Sequence, residues 1–276
     1  MYFEKEIITS RNNQLVKWAS SLSEKKNRKT SGYFLAEGVK LTKEALEASL
    51  SVDYLIVSEN KKTAVIDAIG EFCHSEKYEK TKFVTVSEGV FEKISTEKAP
   101  QGVISVIKHL DFFRDMDIIY KEEFFLKPEE KAIFLFSLRD PSNLGAVIRS
   151  SVAFGIDHII MSADCADIYS PKTVRSAMGS IFRVKVTTVG DVKSFISAAQ
   201  YNSRRVFAAE LSDRAVSLHD IKLSGSDIVM IGNEGHGIDP DVSAFCDESV
   251  YIPISKKTES LNASVAAAIF MWEQSK

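Results

Sequence analysis

The chain has 276 residues, of which 45% are hydrophobic and 26% charged, and its formal net charge is −3. This length and composition exclude a disulfide miniprotein, a collagen-like fibre and a disordered tail. No apolar run approaches the roughly 18–20 residues that span a bilayer, and the opening MYFEKEIITSRNN lacks the apolar core of a secretory signal. Three separated cysteines without a CxxC pair argue against disulfides or a cysteine zinc site. We therefore expect a cytoplasmic protein with no membrane partner and no metal.

The charge is unevenly distributed along the sequence. Residues 1–31 contain seven basic and three acidic residues, although the whole chain is acidic. A basic segment in an acidic protein indicates a local anion-binding face. Charge alone favours the simpler interpretation, which is a solvated helix end and loop.

The first part of the chain alternates between strands and helices, which indicates βα units in a parallel or mixed sheet. Hydrophobic spacing predicts helices at 13–22, 39–50, 62–73 and 88–94. Short apolar runs predict strands at 33–36, 52–58, 82–86 and 102–108. The polar, basic stretch 24–32 is predicted as a loop. The segment 111–130 mixes acids with aromatics without a clean period and is predicted to connect two domains.

The second part predicts six strands with helices between them, which is an open α/β sheet. The predicted strands span 132–138, 158–162, 184–189, 205–211, 227–232 and 249–254. Predicted helices span 144–154, 192–201, 239–246 and 260–273, and Ser170 followed by Pro171 predicts a further helix start. Ligands of such sheets bind outside the carboxyl ends of the strands, so the loops there are the first place to seek a site.

The loop after the first of these strands reads RDPSNLG and leads into a helix that contains Arg149. Ser142 or Asn143 is predicted to cap this helix. Arg149 lies five residues past Leu144 and therefore points off the apolar helical face. A guanidinium there can reach an anionic ligand, although an ordinary surface arginine is the simpler interpretation of this residue alone.

Three glycines alternate with polar residues in GNEGHG at 232–237, directly after an apolar strand. Glycine permits a positive φ and a close approach of the backbone to a ligand. The pattern is neither a dinucleotide fingerprint nor a Walker A loop, because Glu234 adds negative charge and no GK[ST] follows. An acidic residue here suits a ligand with a positive group or a hydroxyl, and a tight turn with a capping acid is the alternative.

The third loop, at 255–260, precedes a final helix that begins NASVAAAIFMW. These residues are small and apolar almost all round, which predicts a buried helix packed closely against another element or another subunit. Ser260 is predicted to cap this helix. Asn262 and Ser264 are then polar groups at a buried helix start, and they need hydrogen-bond partners.

Together the three loops resemble the three motifs of the SpoU/TrmH family of SPOUT methyltransferases. NLGAVIRSSVAFG is similar to the first motif, IGNEGHGI to the second, and IPI followed by ESLNASVAAAI to the third. ITSRNNQLVKWASSL, a basic stretch and YFLAEG resemble the substrate-binding domain that many members carry. One difference is Lys256, because family members often have glycine two residues after the IPI triplet.

The resemblance implies an α/β fold with a C-terminal trefoil-knot (SPOUT) domain at 131–276, built on a parallel sheet. It also implies a smaller N-terminal α/β domain, similar to ribosomal protein L30e, at 1–110 and a linker at 111–130. The implied activity is methyl transfer from S-adenosylmethionine to a ribose 2′-hydroxyl of RNA by a homodimer. An rRNA is the first candidate for the substrate, and a tRNA is the second.

The resemblance also implies which residues act. The catalytic residues would be Asn143, Arg149, Glu234, Ser260 and Asn262. The cofactor would be held by main-chain groups near Leu211, Ile231, Gly232, Ile252, Ile254 and Leu261. Because a guanidinium stays protonated at neutral pH and is a poor general base, we expect Arg149 to hold the phosphate beside the target ribose. The hydroxyl proton would leave through that phosphate, water or Glu234.

Basic residues near the N-terminus are the candidates for contacts with RNA phosphates, which position RNA without specifying its sequence. They are Arg11, Lys17, Lys25, Lys26, Arg28 and Lys29, with Arg139 and Lys172 as further candidates. Two other functions stay open. One is a SPOUT-like RNA-binding protein without transfer activity, and the other is an unrelated nucleotide-binding α/β enzyme without affinity for S-adenosylmethionine.

Overall fold

The computed structural model describes residues 1–276, which form two compact units. The first unit comprises Met1–Leu110 and Asp167–Phe182, and the second comprises Asp111–Ala166 and Arg183–Lys276. The segment Asp167–Phe182 thus belongs to the first unit, although its position in the sequence had placed it within the predicted domain 131–276. No helix is long and apolar enough to cross a membrane.

The first unit contains a five-stranded mixed sheet. Its strands are β1 (Tyr2–Phe3), β2 (Tyr33–Glu37), β3 (Val52–Ser58), β4 (Lys82–Val86) and β5 (Val103–Lys108). Their order is β1-β4-β3-β5-β2, in which β5 runs antiparallel to both of its neighbours. The predicted strands of this part are therefore confirmed, and the two-residue strand β1 is added at one edge.

Five helices precede residue 110 in this unit: α1 (Gln14–Ser21), α2 (Lys25–Ser31), α3 (Val39–Glu47), α4 (Lys62–Cys73) and α5 (Glu88–Ile94). The prediction of a loop at 24–32 is wrong, because Lys25–Ser31 forms helix α2. Gly32 ends this helix with a φ of 74°. This helix has no apolar period. It is held instead by Arg28, which is buried and pairs with Asp167 of the same unit.

The second unit contains an eight-stranded sheet in which all neighbouring strands are parallel. The strands are β6 (Phe113–Met116), β7 (Ala132–Leu135), β8 (His158–Ser162), β9 (Lys185–Val189), β10 (Val206–Ala209), β11 (Val216–Ser217), β12 (Ile228–Ile231) and β13 (Glu248–Tyr251). Their order is β11-β13-β10-β12-β7-β8-β9-β6. The predicted α/β fold with a parallel sheet is confirmed.

The two strands that the sequence did not predict, β6 and β11, lie at the two edges of this sheet. Strand β6 falls within 111–130, so the prediction of that whole segment as a linker is wrong. Its residues FRDM are only partly buried or exposed, as an edge strand allows, and they carry no apolar alternation that would mark a strand.

The remaining helices are α6 (Pro141–Ala153), α7 (Pro171–Ala177, in the first unit), α8 (Val192–Tyr201), α9 (Pro240–Ser243) and α10 (Ala263–Ser275). Two predicted caps are wrong. Asp140, rather than Ser142 or Asn143, caps α6, and Asn262, rather than Ser260, caps α10. As a result, the Asn143 and Ser260 side chains are not used as caps.

Candidate active site

A cavity of about 630 Å³ lies at the carboxyl ends of β10, β12 and β13. All six residues predicted to hold the cofactor line it, namely Leu211, Ile231, Gly232, Ile252, Ile254 and Leu261. Ser260 and Glu234 line it as well, and so does Lys256. The second and third sequence motifs therefore meet around one cavity.

The loop after β12 turns back tightly against its own first residue. A Cβ atom on Gly232 would lie 2.5 Å from the carbonyl carbon of Gly237 and 2.8 Å from the nitrogen of Ile238, so no larger residue fits there. Asn233 exchanges two backbone hydrogen bonds of 3.0 Å with Gly237, whose φ of 67° suits glycine. The loop is consequently compact, and Glu234 is exposed at its tip.

One side chain from each motif joins a single hydrogen-bonded chain. Asn143 Nδ2 donates to Glu234 Oε1 at 2.6 Å, and Asn262 Nδ2 donates to Asn143 Oδ1 at 3.0 Å. Asn262 Oδ1 in turn accepts from the backbone nitrogens of Ser264 and Val265, at 2.9 and 3.4 Å, as the cap of α10. Both ends of the Asn143 amide are used, which fixes its orientation and holds the Glu234 carboxylate in place.

A second network holds the loop between β7 and α6, and sequence reasoning missed it. Asp164 accepts hydrogen bonds from Ser137 Oγ at 2.6 Å, Ser162 Oγ at 2.7 Å and Arg139 at 3.1 Å. Partial burial alone would raise the pKa of Asp164, but these three donors together lower it below its usual value. Ser137 has a φ of 54°, and its carbonyl accepts from Asn233 Nδ2 at 2.7 Å, so this network also joins the first and second loops.

The only signal in the sequence for this second network is a serine and an aspartate directly after a buried strand. Ser162 ends β8, and Asp164 lies two residues further on. Polar residues at the end of a parallel strand face the edge where ligands bind. The pattern becomes informative only when the sheet order places β8 beside β7.

Two predicted catalytic residues lie outside the hydrogen-bonded chain. Arg149 is exposed on α6 and makes no hydrogen bond or ion pair. Ser260 lines the cavity, and its carbonyl accepts from Thr258 Oγ1 at 3.3 Å, whereas its hydroxyl has no partner. Both side chains are therefore free to bind a ligand.

The predicted phosphate-binding residues differ in accessibility. Lys17, Lys25, Lys26 and Lys29 are exposed, and Arg11 is exposed while its Nε donates to the Gly89 carbonyl at 3.0 Å. Arg28 corrects the prediction, because its guanidinium is buried, donates to the carbonyls of Leu22 and Ser23 at 2.7 Å each, and pairs with Asp167. Its hydrogen-bond donors stabilise the first unit and are not available to RNA.

Comparison with known proteins gives the class of this fold and site. Residues 130–272 match the SpoU rRNA Methylase family, and residues 13–105 match the MRM3-like substrate binding domain. The protein is thus an RNA methyltransferase, a class of enzyme that transfers a methyl group from S-adenosylmethionine. The chain belongs to the SpoU rRNA methylase family.

Full-length relatives and solved structures extend this likeness. The 23S rRNA (guanosine(2553)-2′-O)-methyltransferase RlmP of Bacillus subtilis is 29% identical to this protein. The matched region covers 96% of this chain and 97% of the relative's chain. The 23S rRNA (uridine(2479)-2′-O)-methyltransferase of Streptomyces viridochromogenes is 27% identical, and the match covers 96% of this chain and 90% of that relative. The crystal structure of the AdoMet-bound rRNA methyltransferase of Sinorhizobium meliloti matches this fold with a TM-score of 0.79 and 26% identity. The match covers 98% of this chain and 97% of that chain.

The cavity also fits S-adenosylmethionine on its own chemistry. Ile231, Ile252 and Leu261 supply apolar walls of the kind an adenine ring needs, and the strand ends there supply backbone donors and acceptors. Acidic side chains of Glu210, Glu234 and Glu259 line the same space, which suits a cofactor that carries a positive sulfonium and an ammonium group. The lining residues therefore match the group that the family uses.

Proposed function

We propose that this protein methylates a ribose 2′-hydroxyl in 23S rRNA. The observation that carries the proposal is the hydrogen-bonded chain from Asn262 through Asn143 to Glu234 beside the cavity. The relatives from Bacillus subtilis and Streptomyces viridochromogenes support 23S rRNA as the substrate, because both are named for 2′-O-methylation of it. We further propose that the protein works in the cytoplasm.

When bound, S-adenosylmethionine supplies an activated methyl group on a positively charged sulfur, which is a good leaving group. The task left to the protein is to place a ribose oxygen in line with that group and to remove its proton. In our proposal Leu211, Ile231, Gly232, Ile252, Ile254 and Leu261 hold the cofactor in the cavity. Ser260, whose hydroxyl has no partner, orients the reacting groups at the cavity wall.

Arg149 is assigned to the RNA phosphate beside the target ribose. Its guanidinium is exposed and unpaired, and it presents a planar fork of donors that matches two phosphate oxygens. Glu234, held by Asn143 at the cavity, is a candidate acceptor of the hydroxyl proton. Arg149→Lys keeps the charge but loses the fork, so retention of near-full turnover by this variant would contradict the phosphate role.

We also propose that the enzyme is a homodimer that uses helix α10 at its interface. This helix exposes Val265 and Trp272, which are 47% and 52% accessible, beside a row of alanines. Exposed large apolar side chains on a helix of small residues suit close packing against a second copy. Sedimentation equilibrium tests this directly, and a monomer at all concentrations would rule out the dimer.

The proposed substrate is tested by methyl transfer from radiolabelled S-adenosylmethionine to 23S rRNA and, separately, to total tRNA, both prepared without modification. We expect label in the rRNA and none in the tRNA, with loss of label in Arg149→Ala. Label in tRNA alone would replace the proposed substrate with a tRNA. No label in either RNA, with cofactor binding intact by calorimetry, would favour an RNA-binding protein without transfer activity.

A further inference from the structure

The first unit carries a cluster of three aromatic side chains that the cavity and the catalytic motifs leave unused. Trp18 of α1 meets the edge of Tyr33 at a ring-centre distance of 5.3 Å and that of Tyr54 at 5.8 Å. The interplanar angles are 80° and 65°, so both contacts are edge to face. All three rings are half-buried, and each therefore keeps part of its surface open to solvent.

A lysine lies beside each of the two tyrosines of this cluster. Lys108 is the register partner of Tyr33 across β2 and β5, and Lys82 is the register partner of Tyr54 across β3 and β4. Residues in register on neighbouring strands point to the same face, so both lysines stand beside the rings. The Lys82 ammonium lies 5.4 Å from the centre of the Tyr54 ring, and both lysines are exposed.

The polar groups of the cluster are available to a ligand. The indole N–H of Trp18 and the hydroxyl of Tyr54 make no hydrogen bond within the protein. Tyr33, in contrast, donates its hydroxyl hydrogen to Asp53 Oδ2 at 2.6 Å, which fixes its ring. Lys17, next to Trp18, adds a further exposed positive charge. Asp53 is the acidic group of the cluster, and its carboxylate is already engaged by Tyr33.

We propose that the cluster formed by Trp18, Tyr33, Tyr54, Lys82 and Lys108 binds an unpaired segment of the substrate RNA. The aromatic surfaces would stack on splayed bases, and the two lysines would contact the phosphates that flank them. Single-stranded nucleic acid is bound by this combination of stacking rings and positive charge. The inference rests on the proposed function, because it assigns a second contact surface to the same RNA substrate.

The charge pattern favours RNA over a protein partner as the occupant. Two lysines in register with two tyrosines place positive charge beside the rings, which suits phosphates that flank stacked bases. An apolar protein partner would need a ring surface without flanking ammonium groups, since each ammonium would lose hydration on docking. The surface also differs from the lysines of α2, which have no aromatic side chain among them.

Trp18 itself reports on the proposal, because the chain has only two tryptophans. In the variant Trp272→Phe, all indole fluorescence comes from Trp18. Titration with a single-stranded oligoribonucleotide should quench this emission as bases stack on the ring, whereas inorganic polyphosphate should bind without comparable quenching. Binding of the oligoribonucleotide with unchanged Trp18 emission would overturn the stacking role.

The lysines are tested by the double variant Lys82→Gln with Lys108→Gln, and the control is Lys40→Gln with Lys77→Gln, which removes two exposed lysines of the same unit. A plot of the logarithm of affinity against the logarithm of salt concentration has a negative slope. Loss of two phosphate contacts should make this slope shallower by about 1.4 for single-stranded RNA. The control should leave the slope unchanged. Equal slopes for both double variants would overturn the role of Lys82 and Lys108.

These outcomes separate the surface from the proposed activity. Methyl transfer to 23S rRNA together with unquenched Trp18 would refute the surface and leave the activity standing. Quenching by RNA together with no transfer to any RNA would support the surface and refute the activity. Specific binding of a protein fragment in place of RNA would refute the surface as assigned.

Discussion

Asn143 donates a hydrogen bond of 2.6 Å to Glu234, ninety-one residues further along the chain. The same amide accepts a bond of 3.0 Å from Asn262, so a flip of its oxygen and nitrogen would lose both contacts. Three loops that are distant in sequence are thereby fixed to one another at one edge of the parallel sheet. This arrangement is the basis of the proposed reaction geometry, because catalysis by positioning requires the groups around the reactants to be held in a fixed geometry.

Replacement of Asn143 by aspartate tests this relationship. The Asn143→Asp variant keeps the shape of the side chain but places a carboxylate against that of Glu234 and removes the donor. We expect kcat to fall by about tenfold to a hundredfold, which corresponds to a lost hydrogen bond and added repulsion. Affinity for S-adenosylmethionine, measured by calorimetry, should change much less. Asn12→Asp, at an exposed asparagine of the first unit, should leave kcat unchanged.

Gly232 and Gly235 form a matched pair for testing the loop after β12. A Cβ at Gly232 would meet backbone at 2.5 Å, whereas one at Gly235 would meet only the Asn233 side-chain oxygen at 3.5 Å. Gly232→Ala should therefore displace the loop, weaken cofactor binding at least roughly tenfold and lower stability by about 1–3 kcal/mol. Gly235→Ala should stay within about 0.5 kcal/mol of the parent. Equal cofactor affinity in both variants would show that the loop does not form the site.

Asp164 is expected to act as a positioning residue. Asp164→Asn weakens its contact with Arg139 and its acceptance of hydrogen bonds from Ser137 and Ser162, so the loop that leads to Asn143 loses its anchor. We expect kcat to fall by about tenfold or more with a smaller change in KM for RNA. Asp67→Asn, at an exposed site of the first unit, is the control. An unchanged kcat in Asp164→Asn would show that the network has only a structural role.

The burial of His158 leads us to predict that the stability of the protein, rather than its catalysis, depends on the protonation of this residue. It is 5% exposed at the start of β8, and burial lowers its pKa from 6.5 to about 4, despite the opposing effect of Glu130. The folded protein therefore keeps it neutral, while the unfolded chain takes up a proton below pH 6.5. The free energy of unfolding should be insensitive to this group above pH 6.5 and should fall by up to about 3 kcal/mol between pH 6.5 and 4.

Chemical denaturation across that pH range checks the prediction. His158→Gln removes the titrating group while retaining a side chain that can bond to Thr187, the hydrogen-bond partner of His158 at 2.8 Å. The variant should show a flatter dependence between pH 6.5 and 4 than the parent protein. An identical slope in both proteins would assign the acid sensitivity to other groups.

The sequence predicted most of the fold because apolar periods and turn residues were strong where elements are buried. Strand β8 and helix α8 were predicted with the limits that the structure has; β8 is fully buried, and α8 buries one apolar face. Helix α2 was missed because it is short and polar, and it depends on the burial of Arg28 against Asp167. No local pattern can show an ion pair between residues 139 positions apart.

The candidate site was predicted unevenly for a related reason. The cavity-lining residues follow from the family motifs, and all six meet in the structure. The contact of Asn143 with Glu234 could not be predicted from spacing, because it depends on β12 lying beside β7. Asp164 was overlooked since its role appears only when the loop between β7 and α6 meets the end of β8 at its carboxylate.

The most direct test of the central claim is the position of the transferred methyl group. After transfer from radiolabelled S-adenosylmethionine to unmodified 23S rRNA, the RNA is hydrolysed with alkali, which cleaves every linkage except one that follows a 2′-O-methylated ribose. The account predicts that the label is recovered in a single alkali-resistant dinucleotide and that Asn143→Asp lowers its yield. Label recovered in mononucleotides would place the methyl group on a base and contradict the account.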